Sequence, residues 1–298
     1  MNEYTITMSI HGVYRKKIDN LVEKYRSLIK GKETLLQLIN EAEVSESVYN
    51  SNAIENSTLT LPETEKILLE LEVSRNISVR EVFEAKNLAK VMEYVWSHAA
   101  TRTVNQEMLL FLHQMLLNSI NDEFAGRFRE KNEFVRVGSH IAPAPANIQI
   151  LITEMLDRYD HPSQYFIDAI SRFHLDFETT HPFVDGNGRI GRVLINFQLV
   201  SMGLPPIILL DKEKHDYYAS FKEFQSGNTR ATKALEKIVA FAFMESIHKR
   251  IAYLEGRRIV TVREYAEKRS KKLNGVLNQA KRQTIPAFRE KGVWKIGM

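Results

Sequence analysis

The sequence predicts a mainly α-helical protein, and three observations carry that prediction. Apolar residues recur at three- and four-residue spacing along most of the 298 residues, as a helix burying one face requires. Alternating strand patterns are scarce. No internal repeat or low-complexity linker breaks the series.

The first helix is marked by Val13, Ile18, Leu21, Val22, Tyr25, Leu28 and Ile29, which share a face. Leu35, Leu36, Leu38 and Ile39 open a second, expected to reach about Ser47. Further helices are predicted over residues 62–73, 77–99, 105–119, 145–159, 163–179, 188–202, 213–226 and 229–254. Thr60 and Ser78 stand where two of them need N-caps. From Asn132 to Ala142 the pattern changes. Phe134, Val135, Val137 and Ile141 surround Gly138-Ser139, with Pro143 and Pro145 following, which predicts a short β-hairpin. Gly256-Arg257-Arg258 after a long helix marks a boundary. The expected domains are a helical region at 1–100, a core at 101–255 and an appendage at 256–298.

Composition narrows the function. The chain has no cysteine, so disulfides and thiolate metal sites are excluded. The N-terminal stretch from Met1 to Ile10 has no basic region leading into an apolar core, and no apolar run approaches membrane-spanning length. A cytoplasmic protein with no membrane partner is expected. The net charge of +4 is unevenly spread: residues 256–298 hold 12 Lys/Arg against 3 Asp/Glu, leaving 29 basic and 34 acidic residues elsewhere. Any nucleic-acid partner is therefore sought at 256–298.

The densest chemistry lies in His181-Pro-Phe-Val-Asp-Gly-Asn-Gly-Arg-Ile-Gly-Arg192. Gly186 and Gly188 flank Asn187 in a turn that opens a helix, and such a turn offers free backbone N–H groups to an anion. Arg189 and Arg192, three apart, fall on one side of that helix and can clamp phosphate oxygens. Asp185 is a hard oxygen ligand suited to Mg²⁺, and His181 is a candidate general base. Singly, each of these is ordinary. Together they are the parts of a phosphoryl- or nucleotidyl-transferring site, without a Walker A lysine or a dinucleotide fingerprint.

The same string resembles the signature of the Fic family of protein adenylyltransferases, matching every defined position of His-Pro-Phe-x-Asp-Gly-Asn-Gly-Arg-x-x-Arg. The resemblance implies an all-helical core with a hairpin flap, ATP and Mg²⁺ as co-substrate and cofactor, and a target protein bearing a hydroxyl. It implies that His181 deprotonates a Ser, Thr or Tyr hydroxyl, which attacks the α-phosphate. Asp185 would hold the metal, Gly186–Gly188 with Arg189 would cradle phosphates, and Arg192 would grip the γ-phosphate. Gly188, where phosphate-transferring relatives carry lysine, favours AMP transfer. AMP removal and transfer of another phosphate-linked group are the alternatives within the family. A DNA-binding regulator with a nucleotide-sensing core is the alternative outside it.

Three further segments take meaning from that resemblance. Ser51-Asn-Ala-Ile-Glu55-Asn56 is similar to the family's inhibitory motif, in which Glu55 would pair with Arg192, suppressing transfer to targets and to the protein itself. Val135-Arg136-Val137-Gly138 is similar to the target-binding flap. Tyr217, Tyr218 and Gln225 stand where relatives contact adenosine, though some relatives carry asparagine where this chain has Gln225. At the C-terminus, Thr261 caps one predicted helix, Leu273–Lys281 forms a second, and a hairpin turns at Lys291-Gly292. That order, with its +9 balance, resembles the winged helix-turn-helix appended to some Fic proteins, and DNA is its expected partner. A homodimer is compatible with everything above.

Overall fold

In the computed structural model, residues 10–69, 77–138, 140–159, 165–227 and 231–298 are described. Residues 1–9 of the N-terminal stretch read as no signal peptide, the expected helix ends at 70–73, 163–164 and 229–230, and Ser139 lie outside these residues. In chain order the helices are α1 Ile10–Ile29, α2 Glu33–Ile54, α3 Leu61–Leu69, α4 Val79–His98, α5 Gln106–Leu117, α6 Ile148–Tyr159, α7 Phe166–Thr180, α8 Asn187–Ser201, α9 Lys214–Gln225, α10 Ala231–Leu254, α11 Val262–Lys268 and α12 Leu273–Lys281. The strands are β1 Arg136–Val137, β2 His140–Ile141, β3 Ile259–Thr261, β4 Ala287–Glu290 and β5 Val293–Gly297. The fold is mainly α, and no described helix is long and apolar enough to cross a membrane.

Two elements differ from expectation. Helix α2 runs past Ser47 to Ile54, so most of the motif at 51–56 is helical. Leu38 is 56% exposed beside buried Ile39, because adjacent residues on a helix point about 100° apart. Strand β3 went unread because three residues between charges and a cap carry almost no pattern.

Contacts divide the chain into two units, residues 41–239 and a second built from residues up to 40 with 240–298. The domains expected from the sequence cut across this division. In the larger unit, α8 is buried on nearly all sides, from Arg189 to Leu199. Around it gather Leu88 and Val91 of α4, Leu112 and Leu116 of α5, Ile152 of α6 and Phe177 of α7. A helix enclosed this way holds its N-terminus rigidly, and that terminus is the glycine turn.

In the second unit, Ile18 and Tyr25 of α1 are buried, and Lys24 pairs with Glu255 at 2.7 Å. Its C-terminal part orders its sheet β3-β5-β4, all antiparallel, over a core of Val262, Ala266, Val276, Ala280 and Ala287. Thr261 and Glu264 form a reciprocal capping box at α11. Lys291 and Gly292 both take positive φ between β4 and β5, as a tight two-residue hairpin turn demands.

Candidate active site

The loop from His181 to Gly186 is bracketed by two left-handed residues. His181 closes α7 at φ 48° and Gly186 opens α8 at φ 81°. A left-handed histidine is uncommon, and surrounding structure must hold it. Arg129 does so: its Nε donates to His181 O at 2.8 Å, its backbone N–H to Pro182 O, and Nη2 to Pro143 O beyond the hairpin. Asn187 contributes from the other side, with Nδ2 donating to Phe183 O and Oδ1 accepting from Phe183 N–H, both at 2.9 Å. Its side chain is thus committed to the loop, and the residue as a whole is only 2% exposed. Phe183 is fully buried, stacked on His113 with centroids 3.7 Å apart. His113 accepts from Gly126 N–H at Nδ1, so its Nε2–H donates to Asp185 O.

Burial lowers the His181 imidazole to about 4, so it is neutral at pH 7 and able to accept a proton. Asp185 is held below the ordinary carboxylate value: burial pushes it up, but Arg189, the Gly186 N–H and Arg80 outweigh that. Its Oδ1 accepts from Gly186 N–H and from Arg189 Nη2 at 3.1 Å, while Oδ2 accepts from Arg80 Nη2 at 2.6 Å. Glu84 Oε1 pairs with Arg189 at 3.0 Å and with Arg80 at 3.1 Å. Two arginines and two carboxylates therefore alternate around the turn.

Arg192 is 5% exposed, and its guanidinium is filled by α2. Nε donates to Ser51 Oγ at 2.9 Å, while Nη2 donates to Ser51 O at 2.8 Å and Glu55 Oε1 at 2.9 Å. A Cβ on Gly188 would collide with Glu55 Oε1, so the carboxylate fills the space directly over the turn. Helix α2 ends there in a Schellman motif: Ser57 N–H donates to Asn52 O and Asn56 N–H to Ala53 O, with Asn56 at φ 67°. That backbone explains why asparagine, which tolerates the left-handed region, follows Glu55. Lys214 of α9 clamps the same turn through Ala53 O and Asn56 Oδ1, and Tyr218 OH donates to Ile54 O.

A cavity of about 370 Å³ opens against the loop, lined by His181 and residues 184–189, by Asn52, Glu55 and Ser57 from the α2 end, and by Arg80, Glu81 and Glu84 of α4. Tyr217, Tyr218 and Gln225 do not line it. Tyr217 is buried, its hydroxyl bonded to His174 Nε2 at 2.7 Å and to Arg192 Nη1 at 3.4 Å. His174 is a packed histidine, lowered to about 3 by burial and by Arg192. Glu178, half-buried there with its Oε1 out of solvent, is raised to about 8 by desolvation and by Glu55.

The hairpin sits beside the loop. Arg136 pairs with Ile141 and Val137 with His140, while Ala142 N–H donates to Val135 O. His140 Nε2 contacts Thr179 O at 3.0 Å, tying β2 to the end of α7. Beyond β2, strand β1 has no further partner strand among the described residues, and Phe134, Val137 and Ile141 are exposed.

Comparison with known proteins bears on the family and the fold. Residues 103–199 match the Fic/DOC family. The chain is 30% identical over 223 residues to the protein adenylyltransferase Fic of Nematostella vectensis, covering 72% of this chain and 51% of that one. It is 28% identical over 225 residues to the protein of the same name from Drosophila mojavensis, covering 72% and 44%. The chain thus spans about half the length of these curated relatives. Among solved structures, a Fic-domain signalling protein from Bacteroides thetaiotaomicron shares the fold with TM-score 0.72 at 24% identity, over 80% of this chain and 97% of that one. Fic-1 from C. elegans does so with TM-score 0.68 at 23% identity, over 82% and 73%.

Proposed function

For this chain, which belongs to the Fic/DOC family through residues 103–199, we propose the activity of a protein adenylyltransferase held in check by Glu55. The observation that carries this is His181, half-buried and neutral, in a cavity lined by the glycine turn at the N-terminus of α8 with Arg189. ATP would lie with its phosphates against the turn 186–188 and Arg189. His181 would take the proton from a Ser, Thr or Tyr hydroxyl of the target, the oxygen would bond to the α-phosphorus, and pyrophosphate would leave. The open edge of β1 supports strand addition as the means of holding the target, which aligns backbone without reading side chains.

Asp185 suits Mg²⁺: Oδ2 is a hard oxygen donor already facing a cationic group, and one carboxylate completed by phosphates is a common magnesium site. Bound there, the metal would withdraw charge from the phosphates. With ATP labelled at the α-phosphate the target should become labelled; with γ-label it should not. Transfer of the γ-label instead would mean phosphate transfer, and loss of label from a pre-modified target would mean AMP removal.

For residues 256–298 we read the β3-α11-α12-β4-β5 unit as a winged helix that meets DNA. The supporting observation is the exposed run Lys268-Arg269-Ser270-Lys271-Lys272 between α11 and α12. Binding of a DNA duplex by the full chain should weaken roughly tenfold or more between about 50 and about 200 mM salt, since phosphate contacts release counterions. Affinity indifferent to salt would contradict it.

A further inference from the structure

Arg80 stands outside the matched family segment and is 105 residues from the loop it touches, on the first turn of α4. Of the four charges alternating around the glycine turn it is the most exposed, its side chain 56% accessible against 5% for Arg189, 14% for Glu84 and 35% for Asp185. Its Nη2 occupies Asp185 Oδ2, the oxygen left over once Gly186 N–H and Arg189 have taken Oδ1. Its Nε is held by Glu84, which fixes the stem while leaving the guanidinium end able to turn. It also lines the cavity proposed to take the nucleotide.

We propose that Arg80 keeps the cation's place on Asp185 in the nucleotide-free protein, then turns onto the phosphates of the nucleotide when a divalent cation takes Oδ2. The inference rests on the nucleotide-transferring reading of the same site. The driving force is elementary. A guanidinium and a divalent cation on one carboxylate oxygen repel at short range in a half-buried site, whereas polyphosphate brings the negative charge a displaced guanidinium can bind. Arg80 is thus a competitor of the metal before binding and a phosphate ligand after it. It is not required to touch the α-phosphate or the attacking oxygen.

These two roles have opposite signatures, which a merely structural residue would not produce. ATP binding to this chain is measured by calorimetry across a Mg²⁺ series carried to saturation. In Arg80→Ala the Mg²⁺ concentration at half-saturation should fall about threefold or more, because the competing guanidinium is gone. Affinity for ATP at saturating Mg²⁺ should weaken about threefold or more, because a phosphate ligand is gone. Arg80→Gln, which keeps the side chain as far as Cδ without the charge, should behave the same way and guards against loss of packing in the alanine variant. Free Mn²⁺ followed by its paramagnetic resonance should show tighter metal uptake by both variants in the absence of nucleotide. Unchanged values, or cation and ATP binding both tightened or both weakened, would overturn the inference while leaving the site's reading intact. Failure of the unaltered chain to bind ATP at all would overturn both.

Discussion

Glu55→Gly is expected to raise AMP transfer at least tenfold over the unaltered chain, with labelled ATP and any acceptor hydroxyl, the protein's own included. The estimate follows from what the carboxylate occupies. It takes one Nη2 bond of Arg192 at 2.9 Å and the space over Gly188. A hydrogen bond between charged groups is worth about 1.5–3 kcal/mol, and the lower figure applies here because the Glu55 side chain is 37% exposed. About 1.4 kcal/mol is tenfold in affinity for a phosphate competing for that guanidinium. Clearing the turn adds to this, since a triphosphate displaced by a carboxylate presents its α-phosphorus off line and misplacement costs rate steeply. Glu55→Gln removes charge but keeps bulk, so its gain should be the smaller of the two. Equal labelling by all three proteins would rule out inhibition by Glu55.

His181→Ala is expected to lower transfer by about 10²- to 10⁴-fold, the usual worth of a positioned general base. ATP binding should survive, because the glycine turn and Arg189 are untouched. The pH profile offers an independent check. Burial lowers His181 to about 4, so the imidazole is the neutral acceptor above that pH and becomes protonated as pH falls through it. Transfer by Glu55→Gly should therefore persist through pH 6 and be lost only on approaching about 4. Removing Glu55 takes away a charge that pulls the imidazole upward, so the limb does not move toward the ordinary histidine value. A limb near 6.5 would show that another group, or a solvent-exposed His181, takes the proton.

The loop from His181 to Arg192 was legible because its parts are contiguous, and helix ends were legible where caps such as Ser78 and Thr60 bond the first turn. The hairpins could be read for the same local reason. What the sequence concealed is long-range. Arg129, Arg80, Glu84 and His113 support the loop from 52 to 105 residues away, and each is a single residue of a common type in a helix or an irregular segment. Arg129 in particular lies four residues before Glu133 and has the pattern of a surface ion pair, yet it is 3% exposed and its side chain donates to four carbonyls. Helical spacing likewise could not decide which face of α9 carries function. Tyr217 and Tyr218 do reach the site, but through Arg192 and the α2 end rather than through the cavity.

The central claim is that a competent transferase site lies behind the Glu55–Arg192 contact. Intact-mass analysis of Glu55→Gly after incubation with ATP and Mg²⁺, with the Glu55→Gly, His181→Ala double variant beside it, tests this most directly. The single variant should gain the mass of one or more AMP groups, the unaltered chain far less, and the double variant none. ATP bound by all three proteins with no mass gained by any would contradict it.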